Sequence, residues 1–232
     1  KLKDCTIVIL GLGKEGLSSY QFFRNNFPNK KLFLLDEKPL NKLSEEWHNI
    51  HAKDKGIKFA NNFNDLIENL ENDLSLATNP EQKEQILVVK SPGIPPTNQL
   101  LEQAKNLTVK VKITSNTNIF FKLLKNSKSE LEKIKTIGVT GTKGKSTTTS
   151  MIHHVLNNCG FNAFLGGNIG IPPLSLWPDI KKATLQKHDA DKPIVVVLEM
   201  SSHQLSDAVS SPNIAVVLDI EPEHLDYYSS FD

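Results

Sequence analysis

The chain has 232 residues, a formal net charge of +1 from 27 Lys and Arg against 26 Asp and Glu, and 38% hydrophobic residues. That length holds one large or two ordinary domains with a sizeable core, and two are expected. Near-neutral charge removes any general electrostatic attraction to nucleic acid or a membrane surface, and Cys5 and Cys159, far apart and without a CxxC or CxxH neighbour, suggest neither a disulfide framework nor a zinc site.

No apolar run approaches the roughly 18 to 20 residues needed to span a bilayer. "KLKDCTIVIL" is too short and too acid-containing for a signal peptide. A cytoplasmic protein is expected, with no membrane insertion and no nucleic acid as partner, and as a monomer.

Short apolar, β-branched runs alternate with longer amphipathic segments. "CTIVIL" (5–10), "GLSSYQFFRNNF" (16–27) and "KLFLLD" (31–36) give the β-α-β rhythm of a parallel sheet, whose strands are apolar throughout because both faces are covered. The stretch 40–85 is polar and rich in Asn, Lys and Glu, with the Asn79-Pro80 breaker, and is expected to be surface helix plus loop. "ILVVKSPGIPP" (86–96) reads as a buried strand running into a Pro/Gly turn, followed by a helix at 98–106 and a strand at 109–113. Composition shifts near Asn116, where "NIFFKLLKNSKSELEKI" forms an amphipathic bridge to a second β-α-β series. Its strands are "TIGVT" (136–140), "NAFLGG" (162–167), "IVVVLEM" (194–200) and "NIAVVLDI" (213–220). Two doubly wound α/β units in tandem, 1–115 and 116–232, are the simplest organisation.

Three places carry chemistry. After the first strand, Gly11, Gly13 and Gly16 satisfy GxGxxG and open a helix, and Asp36 closes the next strand. Such glycines let a backbone approach any diphosphate, while the acid accepts hydrogen bonds from a ribose or base. Ser91-Pro92-Gly93 supplies a second tight turn at the same sheet edge. In the second unit, "GVTGTKGKSTTTS" places Gly138, Gly141 and Gly144 between a strand and a helix. The strict GxxxxGK[ST] pattern is not met, since Val139 holds its first glycine position, but backbone N–H groups and the helix dipole would still converge on a phosphate. Lys145 would reach the β- and γ-phosphates and Ser146 would offer its hydroxyl to Mg²⁺. Glu199 ends a buried strand where a charge is expensive unless paired, and there it can hold the metal. Glu221, Glu223, His224 and Asp226 cluster after the last strand as ligand or acid/base candidates.

In this order, "GLGKEGLS", "SPGIPP", "TGTKGKSTT", "GGNIGIPP", "LEMSSHQL" and "EPEHLDYY" resemble the Mur ligases of bacterial cell-wall synthesis. The likeness covers essentially the whole chain and is weakest through 40–85, where this sequence is longer. It implies an N-terminal Rossmann-like substrate domain followed by a P-loop ATP-binding domain. The implied reaction, in peptidoglycan precursor synthesis, is that of the D-glutamate-adding member. ATP phosphorylates the carboxylate of UDP-N-acetylmuramoyl-L-alanine, and D-glutamate attacks the acyl phosphate. Carried over by position, Gly13, Lys14, Glu15, Gly16, Asp36, Lys38, Ser91 and Gly93 would hold the uridine diphosphate end. Asn168, Ser201, Gln204 and His224 would line the path of the sugar and acceptor carboxylate. Gly141, Thr142, Lys143, Gly144, Lys145, Ser146 and Thr147 would hold the ATP phosphates. Ser146 and Glu199 would bind one Mg²⁺ and His224 a second, which makes Lys145, Glu199 and His224 the catalytic set.

The sequence departs from many relatives at Lys143 and Asp219, where Asn is common, at His203, where an aromatic is common, and at Asn116 and Asn118, where an acidic pair is common. The family continues past the position of Asp232 with a modified metal-bridging lysine and an amino-acid-binding third domain, so these 232 residues are expected to bind the UDP-linked substrate without ligase turnover. Three other readings stand beside this one. The L-alanine-adding member has a different glycine motif. Folylpolyglutamate synthases lack a UDP-binding first unit, and a non-catalytic nucleotide-binding module would have no use for Lys145, Glu199 and His224 together.

Overall fold

The structure, a computed structural model, describes residues 5–74, 85–95, 97–99, 101–102, 110–126, 134–185, 192–223 and 227–228. The chain divides into two compact units, Lys1–Asn116 and Thr117–Asp232.

The first unit is built on β1 (Cys5–Leu10), α1 (Lys14–Asn26), β2 (Leu32–Leu35), α2 (Glu45–Lys53), β3 (Ile57–Ala60), α3 (Phe63–Leu74), β4 (Gln85–Lys90) and β5 (Val111–Ser115). Its sheet runs β3-β2-β1-β4-β5 with every neighbouring pair parallel. Alternation along the strands divides the core. Val8, Leu10, Phe33, Leu35, Ile86 and Val88 share one face with Leu66 of α3. Ile7, Ile9, Leu32 and Leu34, also buried, point to the opposite face. Because the chain leaves β1 toward β2 and β3, then crosses back to β4, the strand order reverses between β1 and β4. In open parallel sheets, ligands bind at the carboxyl ends of the two strands flanking such a reversal.

The stretch 40–85 corrects the expectation of surface helix plus loop. "IKFA" within it is strand β3, paired in parallel register with β2 (Leu32 with Ile57, Leu35 with Ala60). Only four residues long, with exposed Lys58 in its middle, β3 lacks the continuous apolar run that marks an interior strand, as suits a sheet edge. Trp47 of α2 is 2% exposed, and its indole N–H donates to the Leu12 carbonyl at 2.7 Å. Residues 75–84, including the Asn79-Pro80 breaker, and 103–109 lie outside the described residues, and β5 is Val111–Ser115 rather than 109–113.

The helix α4 (Asn116–Asn126) opens on the last residue of the first unit. The second unit continues with β6 (Ile134–Thr140), α5 (Lys145–Asn158), β7 (Ala163–Gly167), α6 (Pro173–Leu185), β8 (Ile194–Glu199), α7 (Ser202–Ser206) and β9 (Ile214–Val217). Its parallel sheet runs β7-β8-β6-β9. All six residues of β8 are buried, five of them apolar as a central parallel strand requires and the sixth Glu199. The last strand differs. Expected over 213–220 and covered on both faces, β9 spans only Ile214–Val217 at the sheet edge, with Ile214 54% and Val217 60% exposed. Asn213 anchors its start: its Oδ1 accepts from Thr136 N at 2.8 Å, and its N–H donates to Thr136 Oγ1. Among the described residues, no helix is long and apolar enough to cross a membrane.

Candidate functional site

In the second unit, β6 and β8 are parallel neighbours with Val139 opposite Glu199, so the loop after β6 and the acid ending β8 emerge at the same sheet edge. Gly141 to Gly144 turn the chain into α5, and Gly144 caps the helix at φ 78°, a conformation that L side chains rarely adopt. Ser146, on the first turn of α5, donates its hydroxyl to Glu199 Oε2 at 2.6 Å. Asn168, just past β7, donates Nδ2 to Glu199 Oε1 at 2.8 Å, and its backbone N–H donates to the Glu199 carbonyl. Glu199 is 2% exposed. Burying a carboxylate costs several kcal/mol, which charge-assisted hydrogen bonds of about 1.5–3 kcal/mol each offset. Asn168, implied by the resemblance to face the sugar, thus shares Glu199 with Ser146.

The loop itself is tied down. Lys145 Nζ donates to the Gly141 and Thr142 carbonyls at 2.6 and 2.7 Å. Thr142 turns toward the segment after β9: its N–H donates to the Asp219 carbonyl at 2.8 Å, and its hydroxyl bonds both the carbonyl and the N–H of Glu221. Its amide is therefore committed to protein, which corrects the expectation that every loop N–H converges on one spot. Lys143 Nζ lies 2.8 Å from Glu221 Oε2. Gly144 and Thr147 are exposed at the helix start.

Oxygen donors on Ser146 and Glu199 fit Mg²⁺, which takes one or two carboxylates and fills its octahedron with phosphates and waters. Among the described residues, no group of three or more His, Cys, Asp or Glu could hold a metal ion. Ser146 and Glu199 would supply one hydroxyl and one carboxylate oxygen to such an ion, leaving its other positions to phosphate and water. His224 and Asp226 lie outside the described residues. Ser201 and Gln204 are found as a reciprocal capping box: Gln204 N–H donates to Ser201 Oγ at 3.2 Å and Ser201 N–H to Gln204 Oε1 at 3.0 Å. That pairing occupies polar atoms the resemblance assigns to substrate.

In the first unit, a cavity of about 220 Å³ at the β1/β4 reversal is lined by Gly11, Asp36, Lys38, Gly93, Ile94 and Asn98, among others. Asp36 braces two loops: Oδ2 accepts the Leu12 N–H at 2.7 Å and Oδ1 the Lys38 N–H at 2.8 Å. Ser91 donates its hydroxyl to the Gly11 carbonyl at 2.8 Å. Buried Lys90 donates to the Ile94 carbonyl at 2.7 Å, fixing the Ser-Pro-Gly turn from beneath. Of the residues implied to hold the diphosphate, Asp36, Lys38 and Gly93 border the cavity, and Ser91 supports it. Gly16 is buried against Gly11, and Gly13, Lys14 and Glu15 start α1 outside the cavity lining. A Cβ at Gly16 would collide with the Gly11 carbonyl, so this glycine serves the packing of α1 on β1. Sequence reasoning missed Ile94, Asn98 and Lys90. The only signal for Asn98 was its place after Pro95-Pro96 ahead of an apolar run, a helix-start pattern.

Residues 139–232 match the Mur ligase middle domain. A UDP-N-acetylmuramoylalanine--D-glutamate ligase of Rickettsia prowazekii is 32% identical over 99% of this chain, and one of Saccharophagus degradans is 32% identical over 98%. One from Acetivibrio thermocellus is 42% identical over 52% of this chain. The chain spans less than half the length of these relatives: 42% of the first two and 22% of the third. With its two parallel α/β units, the chain carries the match to the Mur ligase middle domain in its second unit and is similar along its length to D-glutamate-adding Mur ligases.

Proposed function

We propose that this chain supplies the substrate-binding and ATP-binding parts of an ATP-dependent amide ligase that adds D-glutamate to UDP-N-acetylmuramoyl-L-alanine. In this reading Lys1–Asn116 takes the UDP-linked substrate and Thr117–Asp232 takes ATP. The observation that carries it is the 2.6 Å approach of Ser146 to Glu199 beside the glycine loop. The relatives' names support the identity of the amino acid added.

The reaction transfers the γ-phosphoryl group of ATP to the alanyl carboxylate oxygen, releasing ADP. The D-glutamate amine then attacks the acyl carbon, loses a proton, and expels phosphate as the amide forms. Bringing these anions together is mainly a problem of positioning and charge. Lys145 and the amides at the start of α5 would hold the phosphate tail, and Ser146 and Glu199 would hold Mg²⁺. Magnesium, when bound, supplies neutralising charge between phosphate oxygens. In the first unit, Asp36 and the Ser91 turn hold the cavity walls in register for the nucleotide end of the other substrate.

Ligand-induced stabilisation of the 232-residue chain tests this. Mg-ATP and UDP-N-acetylmuramoyl-L-alanine should each raise the melting temperature independently, since a ligand at 100 times its Kd stabilises the state it binds by about 2.7 kcal/mol. No response to any uridine nucleotide would remove the first-unit assignment. No response to Mg-ATP would remove the second.

A further inference from the structure

Lys143 stands where two negative groups can claim it. In this structure its Nζ lies 2.8 Å from Glu221 Oε2, while its backbone sits in the loop proposed to cradle phosphate, two residues before Lys145. The side chains of the pair are 75% and 47% exposed, and an ion pair so exposed contributes little stability and is readily exchanged. The backbone beneath it is different. Thr142 N–H on the Asp219 carbonyl and Thr142 Oγ1 on both polar backbone groups of Glu221 hold the loop to this segment without help from either charged side chain. Lys143 can therefore swing away from Glu221 by side-chain rotation alone.

A polyphosphate bound at the loop carries several negative charges against the single one of Glu221. We propose that Lys143 is a two-position lysine that exchanges Glu221 for the phosphate tail of a nucleoside triphosphate, so that Glu221 sets the affinity of the loop for polyphosphate. Glu221 opposes binding by retaining the lysine, so its effect on affinity passes through Lys143. Among the described residues Lys145 has no such competitor, since its two hydrogen-bond partners are uncharged carbonyls.

The inference rests on the phosphate-loop reading above, and calorimetric titration with Mg-ATP, and with tripolyphosphate in the absence of metal, separates the two. For E221Q the Kd for both ligands should fall about threefold, the scale of an exposed ion pair. For K143A it should rise about tenfold, the scale of a lost charge-assisted contact to phosphate. The double variant should match K143A, because Glu221 acts through the lysine. If the parent chain binds neither ligand, the phosphate-loop reading falls and this inference with it. If the parent binds but E221Q binds equally or more weakly, Glu221 merely props the loop and the exchange is refuted. A double variant that still gains affinity over K143A would likewise refute exchange, leaving simple repulsion.

Discussion

Ser146 and Glu199 are 53 positions apart in sequence and 2.6 Å apart in space, the hydroxyl donating to a carboxylate that the fold leaves 2% exposed. Parallel pairing of β6 with β8 produces this proximity, because it brings the first turn of α5 level with the end of β8. Removing the hydroxyl should be felt in stability as well as binding. Ser146→Ala is expected to cost about 1–3 kcal/mol, the penalty for stripping a buried acceptor of its partner. Urea unfolding measures it, and an unchanged midpoint would mean that Glu199 is satisfied without Ser146.

Asn168 holds the other oxygen of the same carboxylate. Asn168→Asp would set two carboxylates at hydrogen-bond distance, and like charges so close oppose one another. The variant should melt lower than Asn168→Ala in the absence of metal, and millimolar Mg²⁺ should recover more of the loss in Asn168→Asp than in Asn168→Ala. Equal recovery in both would argue against a cation beside Glu199.

Trp47 ties α2 to the glycine turn after β1 through its bond to the Leu12 carbonyl, and its ring meets Tyr20 edge-on at 5.6 Å. Trp47→Phe keeps most of the apolar volume but orphans that carbonyl, for an expected loss of about 1–3 kcal/mol. Trp47→Ala adds a cavity and should cost about 3–5 kcal/mol. Chemical denaturation of the two variants separates hydrogen bond from packing.

Tyr20 offers a pH test. Its phenol is buried and donates to Asp54 Oδ2 at 2.8 Å, the oxygen that Arg24 Nε also contacts at 2.7 Å. Burial first, then the hydrogen bond and charge of Asp54, push its pKa above the ordinary 10.0, with Arg24 working against them. A raised folded-state value means the folded chain keeps a proton that the unfolded chain releases. The resulting stability is complete below the unfolded value of about 10 and is lost as pH rises through the folded one. Unfolding free energy of the parent should therefore fall more steeply than that of Tyr20→Phe above about pH 10, with the two curves parallel below it. Parallel curves throughout would show that Tyr20 gains no proton affinity on folding.

Much of the architecture was legible in the sequence because a buried parallel strand must be apolar on both faces. "CTIVIL", "KLFLL" and "IVVVL" announce themselves for that reason. β3 did not, since an edge strand of four residues with a lysine at its centre carries too little pattern to separate from loop. Trp47 was hidden for a related reason: a single aromatic in a polar helix has no periodicity to signal burial.

The candidate sites divide along the same line. Glycine spacing, the lysine and serine after it, and an acid ending an apolar strand are local features, so the residue types suited to phosphate and magnesium could be read from the chain alone. Which partner each group would find could not. Asn168 on Glu199, Lys143 on Glu221 and Thr142 on the 219–221 segment are all contacts between segments that only the sheet order brings side by side. Local chemistry sets what a residue can do. Strand pairing, through contacts distant in sequence, decides which of those capacities is already engaged within the protein.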